Sequence, residues 1–204
     1  RQSFGTALLL RLALSLLSIA GAGAIIARVP DLWPVVDRRV ERITIVRGAG
    51  DCFDTSHSDP AWPGIVLVSI PPPGPVGDLR LAEGIIHEAM HHHLSALESK
   101  VTLVREQCLL HSPWRGTNRP AGGVLHGLFV FACVAHALQM LIDLGSLDEN
   151  ALRHARRRIC EIREEFDAID HAGLCTALTA RGRKVQAAAC RAVGHAGPVL
   201  AYGG

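Results

Sequence analysis

The sequence predicts a mainly α-helical fold with a small β element, an α+β arrangement in which one His-rich helix packs against a long, buried central helix. Three observations carry this prediction. Residues 78–97 keep a helical spacing of apolar side chains without a break. Residues 124–144 are apolar almost all round, which suits a helix buried among soluble amphipathic elements. Short β-branched runs bounded by turn residues stand only at 43–46 and 65–70.

The elements follow in chain order. Residues 7–20 form an apolar run, succeeded by Gly21, Ala22, Gly23 and Ala24, a pattern shared with signal peptides and short spans. Arg11 interrupts it, and a charge inside a membrane-spanning helix costs about 3 kcal/mol on insertion scales. The run therefore reads as a helix packed in the core. A short helix is expected over 32–40, after Pro30. The two strands enclose a polar loop, 48–64, in which Asp51, Asp54, His57 and Asp59 fit no metal geometry by spacing. Pro71, Pro72, Pro73 and Pro75 make a stiff connector, and Asp78 is placed to N-cap the helix that follows. Residues 111–120 read as a loop, with Pro120 suited to the first turn of the next helix because its missing N–H needs no partner there. Gly145 ends that helix. Ser146 to Glu149 form a capping box for another helix, which runs to about residue 168 with the dense mixed charge of a solvated face. A last helix is expected over 176–193, before a Gly-rich tail that reads as frayed.

Composition narrows the class. A chain of 204 residues can bury one substantial core, so residues 1–204 read as a single catalytic domain. The formal net charge is +2 and aromatic residues make up 4 %, which leaves no basic, stacking surface for nucleic acid. Six cysteines lack Cys-x-x-Cys spacing and read as reduced side chains of a cytoplasmic protein. Neither nucleic acid nor a membrane is expected as a partner.

The chemistry concentrates in His87-Glu88-Ala89-Met90-His91. Residues four apart on a helix stack on one face, so His87 and His91 can offer two imidazoles to one metal ion. On the wheel, Ala82, Ile86, Ala89, Met90, His93 and Leu97 form an apolar arc with the two histidines at its edge. Glu88 lies off the shared ligand face, close enough to serve as a base or to orient a bound water or His ligand, while the usual two-His, one-carboxylate triad of oxygenases leaves it open as an iron ligand. His92 falls far around the wheel and is expected to face solvent, whereas His93 joins the apolar arc. A third ligand is needed. Leu94 and Leu97 stand where a metzincin would carry Gly and His, and no later glutamate has the surroundings of a thermolysin-like ligand. His126, in Gly123-Val124-Leu125-His126-Gly127, is the best candidate. Arg115 and Arg119 precede its helix, and guanidinium groups form two-pronged pairs with carboxylates. Both could hold a carboxylate beside the metal, or pair with surface acids.

Taken together, Ala82-Glu83-x-x-x-His87-Glu88-x-x-His91-His92, Ser112-Pro113-Trp114-Arg115, Arg119-Pro120 and Gly123-Val124-Leu125-His126-Gly127 resemble the His-Glu-x-x-His-type 2-oxoglutarate-dependent peptide β-hydroxylases. These enzymes tailor ribosomally made, post-translationally modified peptides. The likeness runs from about residue 63 through the end of the His126 helix. It implies iron(II), 2-oxoglutarate and O₂, with His87, His91 and His126 as ligands and Arg119 or Arg115 holding the distal carboxylate. It also implies hydroxylation at the β-carbon of an Asp or His side chain in a precursor peptide. Against the family pattern the chain, beginning at Arg1, is short at its N-terminus, and a peptide-recognition part is expected upstream or in a separate protein. The alternative is a zinc(II) hydrolase with the same ligands and Glu88 as general base, a reading that leaves the two arginines without a task.

Overall fold

The computed structural model describes residues 4–47 and 54–194, with side chains described from residue 13 onward. Asp51, Cys52, the side chain of Arg11 and the tail beyond residue 194 lie outside the described residues. Seven helices and five short strands stand among them, a mainly α chain with a small β element as expected. The chain divides into two compact units, residues 1–92 with 140–154 and residues 93–139 with 155–204.

The first unit begins with α1 (Phe4–Ile26) and α2 (Trp33–Arg39). Ala22 and Ile26 of α1 are buried, while Leu16 and Leu17 are exposed, so the helix has one covered edge rather than the buried surroundings expected of it. Strands β1 (Arg42–Ile45), β2 (Ser56–Ser58) and β3 (Ile65–Val68) form one sheet in the order β1-β3-β2. β1 runs parallel to β3, with Arg42 opposite Ile65, and β2 runs antiparallel, with His57 opposite Leu67. β2 lies inside the stretch read from sequence as loop. Ser56-His57-Ser58 has no β-branched residue to announce a strand, and its conformation comes from pairing with β3.

α3 (Pro75–Glu98) starts earlier than expected. Asp78 is therefore no N-cap: its N–H already donates to Gly74 O at 2.8 Å, within the helix. Its carboxylate instead packs at Gly21 of α1, where a side chain would collide with it. The helix seats Leu81, Ala82, Ile85, Ile86 and Ala89 in the core. After α4 (Ala121–Asp143), Gly145 turns the chain at φ +61. α5 (Glu149–Asp167) is capped by Asp148, whose Oδ1 accepts from Ala151 N at 2.8 Å. Ser146, expected as the cap, turns back to donate to Leu141 O.

In the second unit, residues 109–120 form a hairpin rather than a loop, β4 (Leu109–Ser112) pairing antiparallel with β5 (Thr117–Pro120) around Gly116 at φ +62. Pro120 ends β5, and α4 begins at the next residue. The core here gathers Val124, Leu125, Leu128 and Val130 of α4 with Ile162 and Phe166 of α5. Among the described residues α4 alone is long and apolar enough to cross a membrane, and half of its most apolar stretch is buried in the protein. The last expected helix is two: α6 (His171–Ala177) and α7 (Ala180–Val193). Thr179 separates them, its N–H donating to Leu103 O and its hydroxyl accepting from Gly182 N as the α7 cap.

Candidate metal centre

Helical spacing puts His87 and His91 one turn apart on α3, and both are partly exposed beside the buried stripe. Their Nε2 atoms lie 3.2 Å apart, with ring centroids at 4.8 Å and planes inclined by 69°. Imidazole nitrogens bind zinc at about 2.1 Å. Two nitrogens at that distance from one ion and 3.2 Å from each other subtend about 100° at it. That angle suits tetrahedral or octahedral coordination, so the pair fits a divalent transition metal.

Glu88 is buried, at 4 % exposure. Its Oε2 accepts from the Ser58 hydroxyl at 2.5 Å, and Oε1 stands 4.0 Å from His87 Nε2. The carboxylate is thus tethered to β2 at the side of the imidazole pair. Sequence reasoning missed Ser58, because a serine in a polar stretch carries no signal of its own. It also missed Glu83, whose Oε1 meets His154 Nε2 of α5 at 2.7 Å, one turn before His87. His92 corrects the wheel reading. It is buried at 6 % exposure, and its Nε2 donates to Ile65 O of β3 at 3.1 Å. The sheet covers the face that the wheel assigned to solvent. His93, in the second unit, stacks on Phe129 with centroids 6.3 Å apart.

His126 belongs to the second unit, on the second turn of α4. Its Nε2 meets Glu98 Oε2 at 2.7 Å, bringing the last turn of α3 onto α4 within that unit. Among the described residues, no group of three or more His, Cys, Asp or Glu side chains is gathered to hold a metal. The structure brings His87 and His91 together.

The hairpin explains the other motif residues. Trp114 lies flat on α4 where Gly127 has no side chain, since a Cβ there would stand 2.6 Å from the indole. Its ring stacks on Phe131 at 5.1 Å, and Nε1 donates to Glu165 Oε2 at 2.9 Å. Burial, the largest influence, pushes the Glu165 carboxyl above its ordinary value, against the opposing pull of Arg158 and the Trp114 hydrogen bond. Arg119, on β5, folds its guanidinium along the first turn of α4, 3.6 Å from a Cβ placed on Gly123. Arg115 is exposed in the hairpin turn. The chain matches no family model and no curated protein.

Proposed function

We propose that this chain is an iron(II)- and 2-oxoglutarate-dependent oxygenase that hydroxylates the β-carbon of an Asp or His side chain in a ribosomally made precursor peptide. The observation that carries the metal part is the 3.2 Å approach of His87 Nε2 and His91 Nε2 beside a tethered, buried Glu88. The oxygenase part rests on the resemblance of the ordered motifs.

In this reading His87 and His91 hold iron(II), with His126 as third ligand on the strength of its sequence context. Glu98 at His126 Nε2 is the carboxylate backing that imidazole ligands commonly have, and it fixes the orientation of the ring. Bound iron with 2-oxoglutarate and O₂ supplies the oxidising chemistry, one oxygen atom going to the peptide C–H and the other to succinate as CO₂ leaves. Arg119 pairs with the distal carboxylate of 2-oxoglutarate, aided by the positive end of α4. Arg115, at the exposed turn, meets peptide. Glu88, fixed by Ser58, orients the site from the side of His87 rather than joining the ligands.

A second reading has an observation in its favour. Glu88 Oε1 at 4.0 Å from His87 Nε2 also suits a general base for water in a zinc hydrolase. The two separate on one assay. The purified chain given iron(II), 2-oxoglutarate, air and the precursor peptide forms succinate in step with a peptide gain of one oxygen atom. Zinc-dependent peptide cleavage without succinate would transfer the assignment to the hydrolase.

A further inference from the structure

Among the described residues, the sheet of the first unit ends in β2, whose outer edge meets no other strand, and β2 is tied to the His-Glu-x-x-His helix through Ser58. Val46 N donates to Val68 O, so the main chain of Val68 faces β1. On the other side Ser69 N donates to Thr55 O, which makes Thr55 and Ser69 a hydrogen-bonded pair. Antiparallel pairs alternate between bonded and non-bonded. His57 and Leu67 are then bonded, while Ser56 and Ser58 are opposite Val68 and Val66 without bonds to them. The N–H and C=O of Ser56 and Ser58 therefore point outward, and β2 is the last strand in the order β1-β3-β2.

The helix beneath shows what that edge overlooks. At about 100° per residue, His92 lies some 40° to one side of Glu88. Gly84, His91 and His87 lie on the other side, about 40°, 60° and 100° away. β3 touches the first of these positions, through Ile65 O and His92. β2 touches the next two, Ser58 on Glu88 and Ser56 opposite Gly84, where a Cβ would meet Ser56 Cβ at 3.6 Å. The sheet thus crosses α3 in steps, and the next step beyond β2 falls over His91 and His87.

We propose that the outer edge of β2 seats an extended peptide, which adds a fourth strand to this sheet and lays its backbone across the His91–His87 pair. The proposal rests on the metal reading above and specifies how its substrate is held. Adjacent strands run about 4.8 Å apart, and residues on one edge repeat at about 6.8 Å. Outward N–H and C=O groups at that repeat are matched by an extended backbone, with main-chain bonds supplying affinity. A helical or compactly folded segment presents no such row. The modified residue consequently lies in a stretch of peptide free to extend over at least three residues.

The test uses the full chain loaded with cobalt(II) and three synthetic probes. Acetohydroxamate reports on the metal alone. Tetra-alanine hydroxamate adds a backbone, and its derivatives N-methylated at one or the other of two adjacent inner residues remove one N–H each. Edge pairing predicts that tetra-alanine hydroxamate binds at least about tenfold tighter than acetohydroxamate. It predicts that one N-methyl derivative loses about five- to tenfold while its neighbour is spared, the signature of a two-residue period. Ser56→Pro deletes an outward N–H without touching the β3 ladder or the Ser58–Glu88 bond. It should weaken the tetrapeptide by a similar factor and leave acetohydroxamate unchanged. Hydrogen exchange at Ser56 and Ser58 should slow when the tetrapeptide is bound. Equal tolerance of both N-methyl groups by the wild-type chain, with acetohydroxamate still bound, would overturn the edge proposal and spare the metal reading. Failure to bind cobalt or acetohydroxamate would sink the metal reading and this inference with it.

Discussion

In the first unit two imidazoles face each other, Nε2 to Nε2 at 3.2 Å, whereas in the second the imidazole of His126 faces a carboxylate at 2.7 Å. Two nitrogens converging on one point suit a cation that can take both lone pairs. A nitrogen already meeting Glu98 is oriented instead by that carboxylate. The same residue type thus fills two different roles, decided by what the neighbouring turn or helix presents. His92 adds a third case, in which a main-chain carbonyl takes up the imidazole and binds helix to sheet.

The largest expected effect tests that division. His87→Ala and His91→Ala should each lower iron or cobalt affinity by more than about 100-fold, since removing even a supporting partner of a ligand costs 10- to 100-fold. His92→Ala should leave metal affinity within about twofold and lower stability by about 1–3 kcal/mol, because Ile65 O loses its donor in part-buried surroundings. Bound metal and urea unfolding, measured on the same preparations, check both statements. Equal metal loss in all three variants would undo the assignment of faces.

Next in size is the arginine comparison. Arg119→Ala should raise the dissociation constant for 2-oxoglutarate about 10- to 150-fold, as expected from losing a charge-assisted pair of about 1.5–3 kcal/mol. Arg115→Ala should change it little, because that side chain stands in the exposed turn. Titration of 2-oxoglutarate into the iron-loaded variants reads this directly. If both variants keep wild-type affinity with the metal in place, the hydrolase reading moves ahead.

Two smaller effects belong to the second unit alone. Gly127→Ala should cost about 1–3 kcal/mol, because the new methyl group stands 2.6 Å from the Trp114 ring and forces the stack apart. Thermal unfolding with the Trp114 signal checks it. The smallest effect concerns Glu165. Its carboxyl titrates above its ordinary value because burial disfavours the charge, so the folded state holds that proton more tightly than the unfolded chain. This contribution to stability is full below the unfolded value and is lost as pH rises through the folded one. Glu165→Gln, which keeps an acceptor for Trp114, should flatten that weakly acidic dependence and change neutral stability by about 0.5 kcal/mol or less. Urea midpoints at several pH values test the sign.

α3 was legible because its apolar spacing runs over many residues and α4 because it is a long stretch apolar almost all round, and the His87–His91 spacing fixes a face whatever surrounds it. What escaped the sequence was set by partners distant in the chain. Ser56-His57-Ser58 is a strand only because β3 lies beside it, and Ser58 matters only because Glu88 lies beneath it. Asp78 has the chemistry of a cap but sits inside a helix that begins at Pro75. Asp148 displaces Ser146 as the α5 cap although both have suitable side chains, because the Ser146 hydroxyl is drawn to Leu141 O. Motif residues were located more readily than their partners. Gly127 was visible as part of Leu-His-Gly, but the indole that requires a glycine there was not.

The Trp114 stack also equips the chain with an internal optical label. The other two tryptophans, Trp33 and Trp62, are 40 % and 60 % exposed and belong to the first unit. Trp114 belongs to the second, and it is packed between Gly127 and Phe131 with its N–H bonded to Glu165. A shielded indole emits at shorter wavelength than a wetted one, so the blue edge of the fluorescence reports the second unit and the red edge the first. Replacing Trp33 and Trp62 by Phe isolates the blue component. Whether the two edges move at one denaturant concentration or at two then tells, from a single cuvette, whether the chain unfolds as one cooperative body.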